Sequence, residues 1–430
     1  MRLLPLLFFP IFAAACSTSS PLPRPVEGER PRNVIFLIGD GMGLSQITLA
    51  RLAKGGPDGP LALDRMPVSG FVHTHAANGW VTDSAASATA LACGIKTNLF
   101  AVGMDSKDRP VKSMLVSAQE KGQTVGLVSN TRITHATPAA FAAHVKLRWM
   151  EPAIARHYLE KEVEVLLGGG RRNFSDDLLA GYREKGYTVV QTREELAHAE
   201  GKVLGLFAKS HLPFVLDREE EPSLSEMFAR ALKLVSGDPD GFFLMAEGGR
   251  IDHGGHMNDA PSIVQELIEF DRVVAFAVEY AQKRGDTLVV VTADHGTGGV
   301  TVTEKMMSRR GHFDRVTASV SRIESLWEKG KGAALLKQYA GIDSVSPEEL
   351  QEINEASTAK ERALWIGRLV SRACGVAFIP MPIRLTEPKV TNGHDGGMVP
   401  VYAYGPGAEN FSGTMDNTEL SRRIRMLAGY

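Results

Sequence analysis

Phe242-Phe243-Leu244-Met245-Ala246-Glu247-Gly248-Gly249-Arg250-Ile251-Asp252-His253-Gly254-Gly255-His256 begins as an apolar run and ends in carboxylates and imidazoles set among glycines. The apolar half reads as a buried strand. Asp259 and Pro261 then open a helix-like stretch that runs to Lys283, so the unit is strand, loop, helix. Glu247, Asp252, His253 and His256 on one short loop suit Zn²⁺ or a similar divalent ion, and glycines leave backbone room to fold the loop round it. The same acidic, Gly-rich turn can also serve only to cap the helix that follows.

Working outward, five further short runs carry the same buried-strand character: Val34 to Ile38, Thr124 to Val128, Val163 to Leu167, Leu288 to Val291 and Val399 to Tyr402. Helix-like stretches such as Lys112 to Lys121 separate them. This alternation predicts an α/β fold with a doubly wound, mostly parallel central sheet flanked by helices. Asp40, Glu247 and Asp294 each follow the C-terminal end of a strand, where open α/β sheets place their ligand crevice. Residues 306–378 interrupt the rhythm with charged helical text, notably Glu348 to Arg368, and read as an inserted subdomain, either a rim over the crevice or a solvated surface unit.

The chain has 430 residues, 43% of them hydrophobic, enough for a large core. A formal net charge of −2 and no long basic run argue against a nucleic-acid partner and leave small anionic substrates open. At the N-terminus, Arg2 and an apolar run from Leu3 to Phe12 lead to Ala13-Ala14-Ala15-Cys16. The run is shorter than the roughly 20 apolar residues that span a bilayer. It predicts a signal peptide over 1–15. Small residues before a cysteine resemble a bacterial lipoprotein processing site, with a lipid on Cys16 as the only link to a membrane; ordinary cleavage near Ala15 is the alternative. Residues 16–32, with four prolines, read as a semi-extended tether, and the catalytic body as 33–430, exported to the periplasm or outer membrane. Cys93 and Cys374 can pair or remain buried thiols.

Other groups carry chemistry. Asp40 lies between Gly39 and Gly41, where a metal or phosphate can approach closely, or where a plain turn would be made. Ser84, in Thr82-Asp83-Ser84-Ala85, falls at the start of a small-residue helix whose N-terminal N–H groups favour an anion; a capping serine without chemistry fits the same text. His135-Ala136-Thr137-Pro138 precedes another helix, and Arg148 beyond it can grip two phosphate oxygens with its fork. Asp294-His295 and Gly393-His394 add ligands in glycine settings.

Together, Asp-Gly-Met-Gly at Asp40, Asp-Ser-Ala at Asp83, Ala-Thr-Pro-Ala-Ala at Ala136, Glu-Gly-Gly-Arg-Ile-Asp-His at Glu247, Thr-Ala-Asp-His-Gly at Thr292 and Gly-His at Gly393 resemble the alkaline phosphatase family, in family order from Asn33 onward. The resemblance implies hydrolysis of phosphate monoesters through a phosphoserine on Ser84, with Arg148 binding the phosphate. It implies one zinc on Asp252, His256 and His394, a second on Asp40, Asp294 and His295, and a third metal, magnesium or zinc, on Asp40, Thr137 and Glu247. His135 and His253 stand where family members vary and are candidate neighbours of that third site or of the phosphate, drawing it towards zinc. Family members are often dimers. The alternatives are a phosphodiesterase or sulfatase of the same superfamily, against which Ser84 and Arg148 speak, and a non-catalytic metal- or phosphate-binding envelope lipoprotein. His73, His75, His144, His157, His198, His211 and His312 have no partner motif and are expected to be surface or core residues.

Overall fold

A computed structural model describes residues 30–378 and 393–430. The signal peptide, Cys16 and the tether up to residue 29 lie outside the described residues. Within them run fourteen strands: β1 (Asn33–Gly39), β2 (Val68–His73), β3 (Thr124–Arg132), β4 (Val165–Gly169), β5 (Thr188–Val190), β6 (Val203–Leu206), β7 (Phe242–Glu247), β8 (Thr287–Ala293), β9 (Gly296–Thr297), β10 (Val300–Val302), β11 (Val376–Phe378), β12 (His394–Asp395), β13 (Val399–Tyr404) and β14 (Gly413–Asp416). Ten form one sheet in the order β14-β2-β13-β8-β1-β7-β3-β4-β6-β5. All its neighbours are parallel except β13, which runs antiparallel to β8 and β2.

The sheet is covered on both faces. Successive strand residues point to opposite sides; Phe242 meets Tyr280 of the helix Ala260–Arg284, whereas Phe243 meets Phe141 of the helix Ala136–Ala142. Every residue of β1, β7 and β8 is therefore buried, and the strands are written as unbroken apolar runs. β1 lies between β7 and β8, so Asp40, Glu247 and Asp294 emerge side by side.

Local details depart from the sequence reading. Arg250–His256 is a helix rather than an open loop. Its glycines serve close packing: a Cβ on Gly255 would lie 2.9 Å from Thr297, and one on Gly254 3.0 Å from Ile263. The helix puts Asp252 and His256 four residues apart on one face. Glu348 to Arg368 divides into two helices, Pro347–Glu355 and Ala359–Ala373. Cys93 and Cys374 are buried, unpaired thiols. No helix of the described residues is long and apolar enough to cross a membrane.

After β10 the chain runs through helices and returns as β11, which pairs antiparallel with β10. The helix Ala359–Ala373 docks on the turn that follows His256. There Ser371 Oγ donates to the Asn258 carbonyl at 2.6 Å and accepts from Ala260 N–H at 2.9 Å. A Cβ on Gly367 would sit 1.9 Å from the Met257 carbonyl oxygen, a distance no packing allows. Gly367→Ala is therefore expected to force the helix off this turn and destabilise the protein by about 1–3 kcal/mol, read as a lower urea midpoint at unchanged slope.

Candidate metal centre

Gly41 lets the first ligand loop fold. It has φ +73°, and a Cβ there would lie 2.7 Å from the Asp252 Cα, so the turn after β1 presses on the helix Arg250–His256. Asp294 fixes the opposite wall: its Oδ1 accepts from Gly41 N–H at 3.0 Å and His295 N–H at 2.9 Å. His394 arrives through strand pairing, since β12 sets it opposite Thr297 of β9.

Three ligand groups result. His256 Nε2 lies 3.2 Å from Asp252 Oδ2, and His394 Nε2 lies 3.6 Å from Asp252 Oδ1 and 3.1 Å from His256 Nε2. His394 donates Nδ1–H to the Thr82 carbonyl at 3.0 Å, which turns its bare Nε2 inward. In the second group, His295 Nε2 is 3.2 Å from Asp294 Oδ2 and 3.7 Å from Asp40 Oδ1. In the third, ligand atoms of Asp40, His135 and Glu247 lie within 4.8 Å of one another, beside the buried Thr137. The groups adjoin: His295 and His394 stack at 3.7 Å, and Asp252, His295 and His394 also form a compact triad.

Ser84 is the first residue of the helix Ser84–Cys93, and Asp83 is its cap, accepting from Ala85 and Ala86 N–H. A capping role for Ser84 is thereby excluded. Its Oγ sits 3.3 Å from His295 Nε2. Arg148 reaches the same spot, bonded to Asp83 Oδ2 and to His135 Nε2, each at 3.0 Å.

The electrostatics are those of a site made for cations. Burial, then the charges of Asp294, Asp252 and Glu247, push the Asp40 carboxyl well up. Burial and Asp252 push Asp294 up to about 8. Burial also holds His394 down to about 4 and His135, His253 and His295 well below the usual range, so the imidazoles are neutral, the form that binds metal. Both Asp40 oxygens, Glu247 Oε1, Asp294 Oδ2, Thr137 Oγ1 and His135 Nδ1 are buried without a hydrogen-bond partner. Orphaned oxygens and nitrogens converging from several elements fit divalent ions.

All twelve candidate residues of the sequence come to this region, and four supporting groups that no motif marks join them. Thr297 donates to Asp252 Oδ1 at 2.6 Å and lies 3.2 Å from His295 Nδ1. Ser129 and Thr131, carried by the end of β3, donate to Glu247 Oε2 at 2.5 and 3.2 Å. His211, expected to be an ordinary surface or core histidine, has its ring 4.4 Å from His253 and 5.4 Å from His135. A hydroxyl between glycines, or a histidine in a loop without a neighbouring motif, gave no local signal of these contacts.

The fold and the convergent ligands define a metal-dependent hydrolase of the α/β class. The family model for alkaline phosphatase matches residues 31–430, and the chain belongs to the alkaline phosphatase family. It is 35% identical to alkaline phosphatase 3 of Bacillus subtilis over 98% of this chain and 96% of that protein, and 36% identical to alkaline phosphatase 4 of the same organism over 91% and 88%. Among solved structures, the cold-active enzyme of Shewanella sp. superposes with TM-score 0.83 at 32% identity, covering 92% of this chain and 99% of that one. The Thermus thermophilus enzyme gives 0.83 at 28%, covering 94% and 93%. The chain is thus an alkaline phosphatase, a metal-using phosphoric monoester hydrolase, and the diesterase, sulfatase and non-catalytic readings find no support.

Because Thr297 ties Asp252 to His295, Thr297→Val is expected to weaken divalent-metal binding about 10–100-fold, measured by competition with a chromophoric chelator.

Proposed function

We propose that Ser84 is the nucleophile of phosphate monoester hydrolysis and Arg148 the phosphate clamp. The observation that carries this reading is the meeting of the Ser84 hydroxyl, at a helix N-terminus, with Arg148 and two metal-ligand groups. We assign zinc to Asp252, His256 and His394 and to Asp40, Asp294 and His295, with a third metal on Asp40, Thr137 and Glu247 beside His135 and His253. Bound there, the metals supply Lewis-acid charge at both the entering and the leaving oxygen of an in-line displacement.

Ser84 Oγ attacks phosphorus as the bond to the ester oxygen breaks, giving phosphoserine and, after protonation, the alcohol. Water then attacks phosphorus, inorganic phosphate forms and the Ser84 hydroxyl is restored. Arg148 holds two non-bridging oxygens through its planar fork, while Asp83 fixes the direction of that fork. The positive end of the Ser84–Cys93 helix dipole favours the anion throughout. The nitrogen-rich setting of the third site supports zinc there; a histidine-to-glutamate variant of the related enzyme from the Antarctic bacterium TAB5, 29% identical to this chain, holds magnesium in its M3 site.

The same reading has the chain exported, with a lipid on Cys16. An intact mass of mature protein starting at an acylated Cys16 is the expected result, and an unmodified start would reject the lipid.

Ser84→Ala is expected to abolish turnover of a chromogenic monoester while zinc content stays unchanged. Arg148→Ala should raise the inhibition constant of inorganic phosphate by roughly 10–100-fold, again at full metal occupancy; loss of zinc would instead reject its role as a phosphate clamp.

A further inference from the structure

Beyond the His135, His211 and His253 rings lies a cleft of about 340 Å³, whose lining includes His211, Phe214, Asp217, Arg250 and Arg322. It continues into a wider one of about 600 Å³, reached past Asp217 and Arg322 and lined also by Arg218. Arg250 is held rigidly. Its guanidinium lies 3.7 Å above the Phe214 ring and donates to His253 Nδ1 at 2.8 Å, while its Nε is shut off from solvent without a partner.

The charge around it is only partly compensated: Asp217 and Glu266 attract Arg250 from nearby without closing an ion pair with it. Arg250, Arg218 and Arg322 form no ion pair among the described residues. Asp217 already accepts the Ser319 N–H and hydroxyl, and Glu266 is occupied by Asn130 and the Val215 N–H. The acids Glu219, Glu220 and Glu221 line only the outer cleft, and at the inner end Arg250 and Arg322 outnumber Asp217, a balance that favours an anion. A partly buried guanidinium with no direct carboxylate partner keeps its planar fork open, and that fork suits a tetrahedral oxyanion. The cleft is also near the chemistry: the His253 ring lies 5.7 Å from that of His135, which bonds Arg148.

We propose that the inner cleft, through Arg250 and Arg322, binds a second phosphate group beside the one processed at Ser84. That group is either the far end of a bisphosphate substrate or free inorganic phosphate; the substrate case alone rests on the assignment of Ser84 and Arg148. Two measurements on the metal-loaded enzyme test it. In equilibrium dialysis with labelled inorganic phosphate, the unaltered chain should bind one more phosphate than Arg322→Ala or Arg250→Met. In kinetics, an alkanediol bisphosphate series should exceed butyl phosphate in kcat/KM by about tenfold at the best linker length, beyond the statistical factor for two equivalent ends. Arg322→Ala should remove that preference and leave butyl phosphate turnover unchanged.

Loss of both the extra phosphate and the preference establishes the leaving group as the source. Loss of phosphate binding alone establishes free phosphate. Identical phosphate stoichiometry in all three proteins, with no bisphosphate preference, overturns the proposal, and continued butyl phosphate turnover would show that the reading of Ser84 survives it.

Discussion

Four carboxylates, Asp40, Glu247, Asp252 and Asp294, crowd the C-terminal end of a sheet that is buried on both faces, and this repulsion governs everything around it. Desolvation and mutual charge push Asp40 and Asp294 upward, while His256, its nearest histidine partner, draws Asp252 down despite its burial. Such a cluster persists because β1, β7 and β8 are locked by their own packing and hydrogen bonds, and because cations bound between the carboxylates offset their charge. The metals of this family thus answer a problem posed by the strands.

On the far side of the site the sign reverses. Arg132, Arg148 and Arg250 stand among three neutral histidines, with Glu151 bonded to Arg132 at the back. A phosphate ester bound as proposed would therefore lie between an acidic half suited to metal and a basic half suited to oxyanions. Asp83 joins the halves. It caps the Ser84–Cys93 helix, accepts from Phe100 N–H and orients Arg148, so one carboxylate sets both the proposed nucleophile and the proposed clamp.

Most of this was legible in the sequence because the chemistry sits where periodicity stops. Val34 to Ile38 and Leu288 to Val291 are unmistakable as buried strands, and the acid after each is conspicuous against them. Ligands supplied by strand ends were consequently readable. What escaped was whatever depends on tertiary approach. Gly254 and Gly255 read as loop residues, yet they permit a helix to lie against Ile263 and Thr297. Thr297 and His211 act through neighbours distant in the chain, and Asp83 rather than Ser84 is the helix cap. Local text shows which residue types are available; only packing shows which of them face each other.

The order in which the ligands are drawn from the chain has a consequence for its biogenesis. Asp40 directly follows the first described strand and His394 opens the third from last, with Glu247, Asp252 and Asp294 between them. A nascent chain emerging from the ribosome therefore cannot hold a complete centre of these residues until nearly all of it is out. Metal capture is postponed to the end of synthesis, and no excised peptide of this protein would make a miniature of the site.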